Sequence, residues 1–215
     1  MSLGALRVEI ANISVGGRAL IRDLSFQVEP GEVTTVMGPS GSGKSTLLAF
    51  IGGHLDHAFQ ASGKVFLGAR DVTGLAPEHR GIGLLFQDDL LFPHLSVAFN
   101  VAFGLDPSVR GRAARRTRVV KVLTEAGLAG FEDRDPATLS GGQRARVALA
   151  RSLVAAPKAL LLDEPFNKLD AELRNEFRRY VFDAAVVAGL PVVLVTHDPD
   201  DTAAAGGAVL RLAGP

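Results

Sequence analysis

The 215-residue sequence predicts an α/β domain with a mostly parallel core sheet, and three observations favour this fold. Short, nearly uncharged runs rich in valine and leucine are typical of strands buried on both faces. Helical patterns separate these runs, as expected when each parallel strand needs a crossover connection. A glycine-rich loop joins one such strand, Val33–Met37, to a helix that begins near Lys44.

The individual elements follow from hydrophobic periodicity along the chain. Strands are predicted at 6–10, 24–28, 33–37, 64–67, 82–86, 159–162, 192–195 and 208–210. Helices are predicted at 44–50, 142–154 and 173–187, with a mostly helical segment at 88–139 and a loop at 71–80. Within the helical segment, a basic run from Arg110 to Lys121 opens a helix that ends near Gly127. Its predicted apolar side contains Val119, Val120, Leu123 and Ala126.

Composition excludes several classes of function. Lys and Arg together number 23, as do Asp and Glu, and this balance disfavours a nucleic-acid partner. Cysteine is absent, which excludes disulfides and thiolate metal sites. The longest apolar run, 184–195, is far shorter than the about 20 residues of a membrane-spanning helix. We therefore expect that any membrane role requires a partner.

The loop after strand 33–37 carries a phosphate-binding pattern. It reads Gly-Pro-Ser-Gly-Ser-Gly-Lys-Ser and matches G-x-x-x-x-G-K-[ST]. Glycines let the backbone curl so that successive N–H groups face one anion, and the helix N-terminus adds its positive dipole end. We expect Lys44 to reach the β- and γ-phosphates of ATP and Ser45 to bind Mg²⁺. The predicted nucleotide ligands are Gly38, Pro39, Ser40, Gly41, Ser42, Gly43, Lys44, Ser45 and Thr46.

Two carboxylates, Asp163 and Glu164, follow the predicted buried strand 159–162. Acids at the end of a sheet strand are costly unless a positive group lies beside them, and Mg²⁺–ATP would supply one. We predict that Asp163 holds the metal, directly or through water. Glu164 lies one residue further on, where it could accept a proton from an attacking water.

A second glycine motif, Leu-Ser-Gly-Gly-Gln at 139–143, precedes a predicted helix. The phosphate loop, Gln87, this motif, Asp163-Glu164, Asp170 and His197 occur in one order along the chain. In these motifs the sequence resembles, over nearly its whole length, the ATP-binding subunits of ATP-binding cassette (ABC) transporters. Segments 80–87 and 91–97 look most like importer ATPases, such as those for polyamines, thiamine, maltose and inorganic anions.

The resemblance implies a single P-loop NTPase domain of the ABC type over residues 1–215. Its RecA-like core, together with an N-terminal antiparallel β subdomain, would comprise residues 1–87 and 145–215. An inserted α-helical subdomain, residues 88–144, would carry the 139–143 motif.

The resemblance also implies roles for residues outside the phosphate loop. Gln87 would be a ligand near Mg²⁺ and the attacking water, and His197 would contact the γ-phosphate. Two cassettes, as a homodimer or another pair, would join head to tail. The second anion cradle, which binds the ATP held by Lys44 of the other cassette, would then be Ser140, Gly141, Gly142 and Gln143.

The implied partners are transmembrane permease subunits, with an external solute-binding protein as a further candidate. The chain would be cytoplasmic and peripheral on the inner face of the cell membrane, where it hydrolyses ATP to power solute import. Candidate residues for a groove that receives a permease helix are Phe86, Leu91, Phe92 and Pro93, although ordinary core packing explains them equally well. Two alternatives remain: a non-transport ABC ATPase acting on nucleic acid or ribosomes, and an exporter ATPase.

Two departures from the family pattern concern the nucleotide contact and the domain organisation. The family stacks adenine on an aromatic residue at the position of Val15, so we expect only an apolar contact and weak base discrimination here. Only 18 residues follow His197, so we expect no C-terminal regulatory domain of the kind that some importer ATPases carry.

Overall fold

The computed structural model describes residues 4–167 and 169–214, and it confirms the α/β class. The strands are β1 (Leu6–Val15), β2 (Arg18–Val28), β3 (Val33–Met37), β4 (Phe59–Leu67), β5 (Arg70–Asp71), β6 (Ile82–Leu85), β7 (Ala159–Asp163), β8 (Val192–Val195) and β9 (Ala208–Arg211). The α-helices are α1 (Lys44–Gly52), α2 (Pro77–Arg80), α3 (Val97–Phe103), α4 (Arg112–Glu125), α5 (Gly141–Val154), α6 (Ala171–Ala188) and α7 (Pro199–Ala205). A short 3₁₀ helix spans Pro136–Thr138.

An antiparallel sheet of order β2-β1-β4-β5 contains the N-terminal strands. Leu6, Val8 and Ile10 alternate along β1 and are buried, as their period-two pattern predicts. Strands β1 and β2 are longer than predicted, because register shifts at Ile10/Asn12 and Ile13/Ser14 interrupt the alternation beyond residue 10.

A second sheet of order β6-β7-β8-β3-β9 forms the core. Strands β7, β8, β3 and β9 pair in parallel. All four residues of β8 are buried, as are the first four of β3 and of β7, which explains their apolar runs. Since β3, β8 and β7 run in the same direction, the loops that follow them begin at one edge of the sheet.

The segment predicted as mostly helical, 88–139, contains α3, α4 and the 3₁₀ helix, with loops between them. On α4 the buried residues are Val119, Val122 and Leu123, so Val120 was the wrong choice for the apolar side. The segment 71–80, predicted as a loop, ends in α2, which begins at a proline and buries the Arg80 side chain.

Two compact units make up the chain. One comprises Met1–Leu84, Lys158–Glu164 and Phe182–Pro215, and the other comprises Leu85–Pro157 and Pro165–Val181. We call them the sheet unit and the helical unit. The predicted domain boundaries at 88 and 144 stay a prediction. Within the described residues, no helix combines the length and apolar character needed to cross a membrane.

Candidate functional site

The phosphate-loop residues connect β3 to α1 in the sheet unit. Gly43 is the N-cap of α1 in the left-handed region, with φ +92°, and no described side chain caps the N-terminus of this helix. A Cβ on Gly38 would lie 2.6 Å from the Ser42 hydroxyl and 2.8 Å from the Leu212 carbonyl oxygen. Glycine is therefore required at both ends of the loop, and the first turn of α1 is left for an anion to cap.

Two polar side chains of the loop support an anion ligand. The Lys44 ammonium donates hydrogen bonds to the carbonyl oxygens of Gly38 (2.9 Å) and Pro39 (3.0 Å), which holds its charge over the loop. The Ser42 hydroxyl is buried and has no hydrogen-bond partner among the described residues. Because buried polar atoms are normally paired, a ligand oxygen is the expected partner of this hydroxyl.

Ser45 and Asp163, two of the three predicted metal ligands, lie together. The Ser45 hydroxyl hydrogen-bonds the Asp163 carboxylate at the end of β7. Burial raises the pKa of the Asp163 carboxyl, whereas the Ser45 hydrogen bond and the Lys44 charge act in the opposite direction. A cation beside this pair would offset the burial of the carboxylate, and hydroxyl and carboxylate oxygens are ligands that suit Mg²⁺. The two residues present therefore fit the predicted metal.

Glu164 and His197 are also close to each other. His197 Nδ1 lies 3.4 Å from Glu164 Oε1, with the glutamate side chain 24% exposed and the histidine 63% exposed. Glu164 adopts φ +47°, an uncommon conformation for a non-glycine residue, while its N–H donates to the Val195 carbonyl oxygen (2.9 Å). This backbone holds Glu164 beside the end of β8, from which His197 follows.

The predicted second cradle begins α5 in the helical unit. Ser140 is the N-cap, and its hydroxyl accepts a hydrogen bond from the Gln143 N–H (3.3 Å). The Gln143 side chain accepts one from the Ser140 N–H (3.0 Å), which completes a capping box. Gly141 and Gly142 form the first turn, and Gly142 is buried. Sequence and structure agree that a helix begins here.

Gln87 lies in an exposed bend after β6 and belongs to the helical unit. Two arginines of α5 hold the segment that follows. Arg144 Nε lies 3.2 Å from Asp89 Oδ2, and Arg151 donates to the carbonyl oxygens of Leu90 (2.8 Å) and Asp89 (3.0 Å). The chain just beyond Gln87 is thus tied to the helix that begins at Ser140.

Val15 is half-buried at the end of β1 and has an aromatic neighbour that sequence reasoning missed. It pairs with Arg18 on β2 and with Phe59 on β4. Phe59 was overlooked because the strand was predicted to begin at residue 64, whereas β4 begins at Phe59. Directly opposed residues lie on the same face of a sheet, so the ring is near the expected adenine contact.

Arg80 is a second residue that sequence reasoning missed. Its buried guanidinium donates to the carbonyl oxygens of Phe50 (2.9 Å) and Ile51 (2.8 Å), in the last turn of α1. Burial lowers the pKa of this guanidinium. A cation at the C-terminus of α1 stabilises the helix whose N-terminus carries Lys44. The only signal in the sequence was an arginine at the end of a short segment that begins with proline.

Comparison with known proteins identifies the family of this chain. The sequence profile of the family described as "ABC transporter" matches residues 21–167. The ABC transporter ATP-binding protein YnjD of Escherichia coli K12 is 48% identical over 185 residues, which cover 86% of this chain and 85% of that protein.

The names of two longer relatives contain the word "import". The sulfate/thiosulfate import ATP-binding protein CysA 2 of Agrobacterium fabrum is 43% identical over 84% of this chain and 53% of its own length. The Fe(3+) ions import ATP-binding protein FbpC of Rhizobium etli is 41% identical over 96% of this chain and 58% of its own length. This chain thus spans just over half the length of both relatives. The profile match and the identity to YnjD show that the chain belongs to the ABC transporter family, as an ATP-binding subunit with the ATPase fold of that family.

Proposed function

We propose that this chain hydrolyses ATP to ADP and phosphate and thereby powers solute import through a separate membrane permease. The observation that carries the proposal is the cluster in the sheet unit. There, Lys44 lies in the phosphate loop with the Ser42 hydroxyl, which no described residue hydrogen-bonds, and Glu164 faces His197. The import names of CysA 2 and FbpC supply the direction of transport.

The sheet unit binds the nucleotide. The N–H groups from Gly41 to Thr46, the Lys44 ammonium and the Ser42 hydroxyl hold the phosphates. Ser45 and Asp163 would hold Mg²⁺, and the role of Gln87 as a further ligand stays a prediction. Once bound, Mg²⁺ neutralises charge on the β- and γ-phosphate oxygens. Val15 makes an apolar contact with the adenine.

Hydrolysis uses the pair at the ends of β7 and β8. A water molecule attacks the γ-phosphorus in line with the bond to ADP, and Glu164 accepts the proton that this water loses. His197 and Lys44 donate hydrogen bonds to the γ-phosphate oxygens, where charge develops in the transition state. The 3.4 Å contact between His197 and Glu164 supports a joint action of the two side chains on one substrate.

The helical unit completes the site of a second cassette. In a head-to-tail homodimer, Ser140 and Gly142 of one copy bind the γ-phosphate held by Lys44 of the other copy. Support for this role comes from the N–H groups of the first turn of α5 and the Ser140 hydroxyl, which lie at one helix start, where an anion is stabilised. ATP bound between two copies stabilises the dimer, and hydrolysis releases it.

An exposed aromatic patch on the helical unit is the proposed contact for a permease helix. Phe99 and Phe103 on α3 are 67% and 70% exposed, and the Phe103 ring lies 4.7 Å from the Phe92 ring. Of the groove candidates, Phe86 and Pro93 are exposed, whereas Leu91 and Phe92 are half-buried. Large apolar side chains in water favour an amphipathic partner helix. The chain would then be peripheral on the cytoplasmic face, and a solute-binding protein would act on the other side.

Affinity purification from the native host tests this function. We expect a polytopic membrane protein to co-purify, and Mg²⁺-dependent ATP hydrolysis by the complex. Replacing Phe99 and Phe103 by serine should remove the membrane protein and leave ATP binding intact. Val187, 88% exposed on α6, provides the matched control, because Val187→Ser removes an exposed apolar side chain elsewhere. Ribosomes or DNA in place of a membrane protein would contradict import.

A further inference from the structure

A buried polar pair lies beside His197 in the sheet unit. Thr196, which follows β8, is 0% exposed, and Asp201, in the first turn of α7, is 1% exposed. The Thr196 hydroxyl donates a hydrogen bond to Asp201 Oδ2 at 2.6 Å. This is the short distance expected when the acceptor is charged.

Hydrogen bonds of Thr196 and Asp198 fix the backbone on both sides of His197, and the pair takes part on the Asp198 side. On one side, the Thr196 N–H donates to the Val36 carbonyl oxygen of β3 (3.4 Å). On the other side, the Asp198 N–H donates to the Thr196 hydroxyl (3.1 Å), which in turn donates to Asp201. His197 therefore has a tethered residue before it and after it.

Helix α7 is anchored to the same region by Thr202. Its hydroxyl lies 3.3 Å from the Asp198 carbonyl oxygen and 3.5 Å from Met37 Sδ. Because Met37 immediately precedes the phosphate loop, Asp201 belongs to a helix start that contacts both the His197 turn and the end of β3. The position of His197 is thus set by α7 as well as by β8.

A buried carboxylate is a costly way to join a strand to a helix, since apolar residues of similar volume would pack there without desolvating a charge. All four residues of β8 before Thr196 are apolar and buried. The polar pair appears only where the chain turns toward Glu164, 3.4 Å from His197 Nδ1. This placement favours a role at the site over a role in general stability.

We propose that Asp201 is a positioning residue that acts through Thr196 to hold His197 beside Glu164 and the γ-phosphate. The inference rests on the proposed function, because His197 must act in ATP hydrolysis for its position to matter. Asp201 itself touches neither ATP nor water in this role. Loss of the pair should therefore lower kcat and leave ATP binding unchanged.

Five variants of the full chain separate this role from a structural one. Thr196→Val removes the hydroxyl but leaves a buried carboxylate without that partner, so the double variant Thr196→Val/Asp201→Ala removes both members. Thr196→Ser and Asp201→Asn each keep a donor or acceptor and serve as the conservative replacements. Asp200→Ala is the matched control, because Asp200 is exposed one residue away in the same helical turn.

The measurements are kcat for ATP hydrolysis, the Kd for ATP and the thermal midpoint of each variant. We expect the double variant to lose kcat by about tenfold or more with Kd within about twofold. Thr196→Ser, Asp201→Asn and Asp200→Ala should stay within about threefold of wild-type kcat. In a His197→Ala background the double variant should cause no further loss, because both changes act through the same imidazole.

The proposal would be overturned by a double variant with wild-type kcat. It would also be overturned if the double variant lowered kcat in the His197→Ala background by the same factor as in the wild-type background. A fall in kcat matched by an equal loss of ATP affinity would also overturn it, by indicating damage to the phosphate loop. If His197→Ala alone retained wild-type kcat, the proposed role of His197 in hydrolysis would be wrong. This result is distinct from a failure of the Asp201 proposal, because it is obtained without any change at Thr196 or Asp201.

Discussion

The helices α1 and α5 both begin at a glycine-rich motif, but their N-termini are completed in opposite ways. At α1 the N-cap is Gly43, no side chain caps the helix, and the buried Ser42 hydroxyl has no partner among the described residues. At α5 the N-cap is Ser140, and its reciprocal hydrogen bonds with Gln143 close the turn. One N-terminus lacks a cap from its own side chains, whereas the other is capped by them.

The difference indicates an order of events. The α1 site gains hydrogen bonds when a phosphate arrives and loses little, so it binds nucleotide within a single chain. The α5 site must exchange a capping interaction, worth about 1 kcal/mol, for contact with a γ-phosphate. We therefore expect α5 to engage only ATP that another copy already holds, which makes it a sensor of the γ-phosphate.

Removing the charge at the α1 site should have the largest effect. Lys44→Ala deletes the ammonium held over the loop, and hydrogen bonds to charged groups contribute about 1.5–3 kcal/mol each. We expect ATP affinity to fall by about 100-fold and kcat by about 1,000-fold. Titration calorimetry and phosphate release measure the two quantities. Lys158→Ala, at an exposed lysine of the same unit, should change neither, and equal losses in both variants would contradict a specific role.

Removing the cap at the α5 site should lower the rate of ATP hydrolysis without changing the affinity of a single chain for ATP. Ser140→Ala should lower kcat by about tenfold or more and keep the Kd for ATP within about twofold. It should also cost about 1 kcal/mol of unfolding free energy. Ser96→Ala removes another N-cap serine, on α3, and should cost similar stability with normal kcat. Turnover that fell equally in both variants would show that the loss reflects stability alone.

Supplying the missing ring at Val15 should have a smaller effect, confined to the α1 site. Val15→Tyr should tighten ATP binding by about fivefold to tenfold, because base stacking on an aromatic ring contributes about 1–3 kcal/mol. The preference for ATP over GTP should rise with it, as measured by competition. Val15→Ile changes size without adding a ring and is the control. If the wild-type protein already preferred ATP over GTP strongly, the expected weak base discrimination would be wrong. The Phe59 ring would then be the candidate adenine contact.

The smallest effect is a change of stability at Asp163. Burial raises the pKa of this carboxyl above the usual 3.8, so the folded protein binds the proton more tightly than the unfolded chain. Wild-type stability therefore falls as pH rises from about 4 through the folded-state pKa. Asp163→Asn removes the charge, and without nucleotide it should raise the thermal midpoint by a few degrees at pH 8. This gain in thermal midpoint should shrink toward pH 4. A gain that grew toward low pH would contradict a raised pKa of Asp163.

Much of the sheet unit could be predicted from the sequence, because buried parallel strands leave apolar runs and the phosphate loop has few possible geometries. The starts of β3, α1 and β8 agree with their predicted positions, and Lys44, Ser45, Asp163, Glu164 and His197 all lie at the ends of predicted elements. The length of β1 could not be predicted, since register shifts break the alternation on which the prediction depends.

Residues that act through other residues were harder to predict. Asp201 has the pattern of an ordinary exposed acid in the first turn of a helix, and only the structure shows its burial against Thr196. Arg80 likewise has no local signal for its bonds to α1, about 30 residues earlier in the chain. Contacts between distant segments depend on tertiary packing, which single-sequence periodicity does not contain.

Trapping the complex of two copies with ATP tests the composite site most directly. In a Glu164→Gln chain the proposed base is lost while Lys44, Ser45 and Asp163 are kept, so ATP should bind and persist. Sedimentation should then show a dimer with ATP and Mg²⁺ but a monomer with ADP, and adding Ser140→Ala should return the ATP-bound chain to monomer. A chain that stays monomeric with saturating ATP, or that dimerises equally with ADP, would contradict a site shared between the α1 and α5 N-termini of two copies.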